Sequence, residues 1–109
     1  MPTQPQIDAI LAKVETYQTK KALSDAAQRA SDTASQRANA ARGAWDAMIG
    51  DGETDEVKLT AMLNAVVDTG LEAATKQADL QTASGLTSSA NTQLGDAVYL
   101  LVNPPPPEP

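Results

Sequence analysis

All seven prolines of this 109-residue chain lie near its two ends: Pro2 and Pro5 at one, Pro104 to Pro107 and Pro109 at the other. The 98 residues from Gln6 to Asn103 contain none. Proline inside a helix removes a backbone donor and clashes with the preceding turn, at about 3 kcal/mol or more. A proline-free stretch of this length therefore permits long, uninterrupted helices. The residues that fill it agree, since Ala, Gln, Lys, Arg, Glu and Leu dominate and all are good helix formers.

Periodicity sharpens the expectation. Apolar residues recur as Ile7, Ile10, Leu11 and Val14, then as Leu23, Ala26, Ala27, Ala30, Ala34, Ala38, Ala41, Trp45 and Met48. Steps of three and four mark one helix face. They predict a first helix over residues 6–49, about 65 Å long at 1.5 Å per residue. Pro5 stands where a first helical turn tolerates proline. Gly50-Asp51-Gly52 then supplies the stop, with two glycines able to take a positive φ. Thr54 is the expected N-cap of a second helix over residues 55–102, with Asp55 and Glu56 favourable in its first turn. The second face reads Leu59, Leu63, Val67, Leu71, Ala74 and Ala78, then Leu86, Ala90, Leu94, Ala97, Val98 and Leu101. Asn103-Pro104 ends it, because proline disfavours a helical residue before it.

The fold class expected is all-α: a long antiparallel helical hairpin, coiled-coil-like, with an Ala-rich seam. Residues 1–5 form an N-terminal arm, 50–54 a Gly-Asp-Gly turn and 103–109 a Pro-rich tail. Thr82 to Thr92 is rich in Thr, Ser, Gly and Asn, so a break near Gly85 into a three-helix arrangement is the alternative. Gly70 and Gly95, like Gly85, are either costs to the helix or points of close contact. Folding back at Asp51 sets Ile7 against Leu101, Ile10 against Val98 and Val14 against Leu94. It sets Ala34, Ala38 and Ala41 against Leu71, Val67 and Leu63, small against large, and closes Trp45 and Met48 over Leu59 and Val57.

Composition limits the chemistry. The chain has no Cys and no His, so thiolate and imidazole nucleophiles, bases and metal ligands are all missing. No phosphate loop or nucleophile–base pair occurs, and neither a cofactor nor a small-molecule substrate is expected. The net charge is −6, which repels nucleic-acid phosphate. It is unevenly divided: residues 1–50 carry six basic and five acidic side chains, residues 51–109 two basic and nine acidic. The first ten residues lack the positive flank and apolar run of a secretory signal. The longest bulky apolar run, Val98 to Val102, is too short to span a bilayer.

Three clusters receive a structural reading. Asp51, Glu53, Asp55 and Glu56 resemble the start of a calcium loop, but Glu56 stands where such a loop needs Gly and Met62 where it needs Glu. The cluster reads as turn solubility and helix N-terminal charge. Arg29, Arg37 and Arg42 read as partners for helix ion pairs with neighbours such as Asp25 and Asp32. Trp45 reads as a packing anchor. In length, acidity and a mid-chain Trp the chain resembles the secreted WXG-type family. Ala47 replaces the Gly of the Trp-x-Gly signature, and Asn103 stands where the C-terminal export signal needs an acid. No residue role is therefore carried over.

The remaining candidate is an interaction surface. Two helices bury one stripe each, and an Ala stripe contributes little at about 25 cal/mol per Å² against the entropy of ordering the chain. Neighbours are expected to supply the rest. The open end holds the bulky residues for it: Ile7, Ile10 and Leu11 beside Val98, Tyr99, Leu100, Leu101 and Val102. The expected function is a non-enzymatic structural or assembly subunit. Its partners would be itself or other protein subunits, met through that open end. A phage virion or appendage is the favoured setting, with the cytoplasm as the other location. The competing reading is a soluble helical adaptor, a secreted WXG-like effector or a chaperone-type module acting as a small oligomer. The PPPPEP tail favours polyproline II and reads as a stiff tether.

Overall fold

The computed structural model describes residues 2–103. Two helices account for nearly all of them: α1, Gln4–Gly50, and α2, Glu56–Val102. They form an antiparallel hairpin, and no described residue is in a strand. The α2 helix is continuous through Gly85, so the three-helix alternative does not hold. A poor-propensity stretch stays helical here because its Ala83, Thr87 and Ala90 are half-buried or buried and Thr87 bonds to the Lys20 carbonyl of α1, and packing decides what propensity leaves open. The expected Pro-rich tail falls outside the described residues.

Capping fixes the ends. At the start of α1 the Thr3 amide donates to Gln6 Oε1 at 2.8 Å and the Gln6 amide to Thr3 Oγ1 at 3.4 Å. This reciprocal capping box starts α1 slightly before the expected Gln6. At its end the Glu53 amide donates to the Met48 carbonyl and the Gly52 amide to that of Ile49. That pair of bonds is a Schellman motif. Gly52 alone takes a positive φ, 79°, whereas Gly50 closes the helix with ordinary geometry. The N-cap of α2 is Asp55 rather than Thr54: Asp55 Oδ1 accepts the Val57 amide at 2.9 Å. Glu53 Oε1 in turn accepts the Asp55 amide at 2.9 Å. The Schellman bonds extend the turn through Glu53, and this displaces the cap.

The chain divides into two compact units: an open-end unit, residues 1–25 with 82–109, and a turn unit, residues 26–81. In the open-end unit the half-buried residues of α1 are Ile10, Lys13, Val14, Tyr17, Lys20 and Ser24. The facing seam of α2 is Ala83, Thr87, Ala90, Leu94, Ala97 and Leu101. Apart from Val14, which adjoins Lys13, spacings of three and four alternate. This 3.5-residue average is the heptad repeat of a left-handed coiled coil. Two side-chain contacts set the register: Thr87 Oγ1 donates to the Lys20 carbonyl at 3.0 Å, and the Ser24 and Ser84 hydroxyls meet at 3.5 Å. That register places Ile10 beside Ala97 and Val98 and Tyr17 level with Ala90, close to the expected pairing.

In the turn unit the same alternation runs through Ala27, Ser31, Ala34, Ala38, Ala41, Trp45 and Met48 on α1. On α2 it runs through Leu59, Met62, Val66, Thr69, Ala73, Lys76 and Leu80. Arg37 Nη1 donates to Glu72 Oε1 at 3.3 Å. The expected match of Ala34, Ala38 and Ala41 to Leu71, Val67 and Leu63 is corrected. Those three residues stand 63%, 50% and 47% exposed. They step by four, and a four-residue step drifts off a seam that repeats every 3.5 residues.

The buried interior is slight. Among the described residues only Ser31, Ala34 and Ala90 are buried, and no large side chain is fully buried. Small seam residues let the helices approach toward the short end of the usual 8–10 Å axis separation. Lys13, Lys20 and Lys76 occupy seam positions and are half-buried. A lysine there lays its stem along the seam while its ammonium reaches water, at a cost in stability but with a gain in register.

Candidate interaction surface

The open-end residues all lie in the open-end unit, where two terminal segments carry them. In α1, Ile7 and Leu11 are four apart and share a face, exposed by 36% and 57%. Ile10 turns into the seam and is half-buried. In α2, Val98 and Val102 share a face and are exposed by 41% and 72%. Leu101 joins the seam, while Tyr99 and Leu100 are 64% and 57% exposed. Successive helical residues are about 100° apart, so five consecutive bulky residues surround the helix and one facing helix covers only part of them. The capping box at Thr3 holds the α1 side in place. Asn103 closes the α2 side, its amide donating to the Tyr99 carbonyl at 2.8 Å.

Elsewhere the polar candidates have local roles. Lys21 Nζ pairs with Asp25 Oδ1 at 3.1 Å, and this hydrogen bond with the carboxylate charge raises the ammonium above its ordinary 10.5. Asp32 Oδ1 accepts the Gln28 amide at 2.9 Å. The expected ion pairing of Arg29 with Asp25 or Asp32 is not formed; Lys21 and Gln28, each four residues before the acid it meets, hold the two carboxylates. Arg37 pairs across the hairpin, and Trp45 takes a half-buried seam position in the turn unit. The acidic turn uses Glu53 and Asp55 to cap backbone amides. No group of three His, Cys, Asp or Glu side chains converges among the described residues.

Concave features in the open-end unit are grooves beside the helix pair. One of about 370 Å³ is lined by Ala9, Ala12, Lys13, Thr16, Ala90 and Gln93. Another of about 290 Å³ is lined by Tyr17, Lys21, Ser24 and a run of α2 hydroxyls and amides. Neither brings an acid and a base together. No helix among the described residues is long and apolar enough to cross a membrane. Comparison with known protein families, characterised proteins and solved structures finds no match to this chain.

Two features escaped the sequence reading. The first is the Thr3–Gln6 capping box, whose signal, Thr-x-x-Gln ahead of an apolar run, was present. The second is the set of exposed apolar residues on α2 in the turn unit. Their four-residue spacing was the clue that they form a surface stripe and not the seam.

Proposed function

We propose that this chain is a non-enzymatic structural subunit: a helical hairpin that docks through its open end into a larger homo- or hetero-oligomer. One observation carries this reading. Bulky apolar side chains are left in water at Leu11, Tyr99, Leu100 and Val102 while almost nothing large is buried. The accessible surface is 7901 Å², whereas a compact monomer of 11.3 kDa exposes about 5,700 Å². A repetitive particle such as a phage virion or appendage provides many contacts to one small subunit.

The test is sedimentation velocity on the wild type and on Leu100→Asp, which alters an exposed docking residue without entering the seam. The expected outcome is loss of the higher-mass species with helicity retained. Assembly that persists unchanged places docking elsewhere. A discrete dimer or tetramer that never grows further points to the adaptor reading instead.

A further inference from the structure

We propose that Asp51–Gly52 is a site of spontaneous covalent modification: the Gly52 nitrogen closes on the Asp51 carboxyl, and the turn ages to a β-linked isoaspartate. Asp51 is the only Asp or Asn of the chain that precedes a glycine. Glycine matters because it lacks the Cβ that would shield its amide nitrogen and restrict the backbone. Neighbouring groups do not shield the nitrogen either, since a Cβ built on Gly52 meets nothing within 4 Å.

The fold sets Asp51 apart from the other eight aspartates. Seven of those lie inside α1 or α2, and Asp55 caps α2 with its carboxylate. Inside a helix the amide after each aspartate is held in the i→i−4 ladder, away from the preceding carboxyl. Asp51 instead follows the last residue of α1, and both it and Gly52 are exposed. No hydrogen bond or ion pair among the described residues holds the Asp51 carboxylate. The Gly52 amide keeps one bond, to the Ile49 carbonyl at 3.1 Å. That bond lies at a helix end, where local opening costs least.

The chemistry needs only water. With Asp51 in its neutral acid form, the Gly52 nitrogen attacks Cγ. The N–Cγ bond forms, the Cγ–OH bond breaks, and the amide proton leaves with the hydroxyl as water. Water then adds back to the cyclic imide. Opening at Cγ regenerates Asp51, whereas opening at the original backbone carbonyl leaves the chain running through Cβ. Mass is unchanged, and one backbone atom is added between Asp51 and Gly52. This displaces the Gly52 and Glu53 amides from the Ile49 and Met48 carbonyls, so the Schellman closure is lost. The site lies in the turn unit, and its modification does not depend on docking at the open end.

The test holds the full chain at neutral pH and physiological temperature for several weeks, beside a sample unfolded in guanidinium chloride. Trypsin cuts after Arg42 and Lys58, so Asp46, Asp51 and Asp55 fall on one peptide and serve as internal references. Electron-transfer fragmentation then assigns each isoaspartate. In the folded chain isoaspartate should accumulate at Asp51 at least tenfold above Asp46 and Asp55, and Asp51→Glu should remove it. Equal levels at the three positions would overturn the proposal. So would an unmodified folded chain at a time when the unfolded sample has converted. The isoaspartyl form, separated by chromatography, should unfold at a lower guanidinium concentration than the parent. Equal midpoints would overturn the loss of the Schellman closure.

Discussion

At the residue scale the hairpin depends on a few backbone caps. Asp55 accepts the Val57 amide and so satisfies one of the four free donors at the start of α2. Asp55→Ala should cost about 1 kcal/mol in urea unfolding, whereas Thr54→Ala, which removes no cap, should change little. Equal losses would contradict the assignment. Gly52 holds φ at 79°, and an L-residue there is strained, so Gly52→Ala should destabilise by about 1 kcal/mol. Gly85→Ala and Gly95→Ala should act in the opposite sense, each adding about 0.5–1 kcal/mol. Both lie in helix, and a Cβ at either meets nothing within 4 Å. The one clear titration effect is at Lys21, whose ammonium is raised above 10.5 by Asp25. A raised pKa means stability that is fully present below 10.5 and lost as pH rises through the folded value. The pair is fully exposed, so the effect belongs in the titration curve itself. Lys21 Nζ should titrate higher in the wild type than in Asp25→Asn, and identical curves would show that the pair does not persist in solution.

At the scale of the helices, the seam is the main result. Both helices were legible from proline placement, propensity and the Gly-Asp-Gly stop. The face of α1 was largely legible too, because Ala27, Ala34, Ala38, Ala41, Trp45 and Met48 step by three and four and do lie in the seam. The α2 face in the turn unit was not. There the largest side chains, Leu63, Val67 and Leu71, form the more conspicuous pattern, yet the seam uses Val66, Thr69, Ala73 and Lys76. Volume arguments favour the bulky set, while the 3.5-residue repeat shared with α1 selects the smaller one. Hydropathy alone could not see this, since a Thr and a Lys in the seam look polar. The distinction is measurable at neighbouring positions. Val66→Gln should destabilise the hairpin by about 1–2 kcal/mol, whereas Val67→Gln should leave its helicity and stability intact. Ala34 is 2% exposed, so Ala34→Leu should overpack the seam and cost about 1–3 kcal/mol. If Ala34→Leu is neutral, the helices lie further apart there than the seam implies.

At the scale of the whole molecule, the proposed docking would link folding to association. A hairpin whose buried residues, among those described, are Ser31, Ala34 and Ala90 obtains little stabilisation from its own interior. Three seam lysines and several hydroxyls set register at some cost in cohesion. The open end was legible from the sequence as an apolar cluster, and the structure leaves most of it exposed. The apolar stripe of the turn unit was visible only once the seam was known, because an exposed stripe is defined by what the packed face leaves out. Binding to the folded state stabilises it by mass action. Thermal unfolding followed by circular dichroism across a hundredfold range of protein concentration is therefore the most direct test. A midpoint that rises steadily with concentration is the predicted result. A midpoint independent of concentration, from a chain that sediments as a monomer throughout, would contradict the claim that neighbouring copies complete this fold.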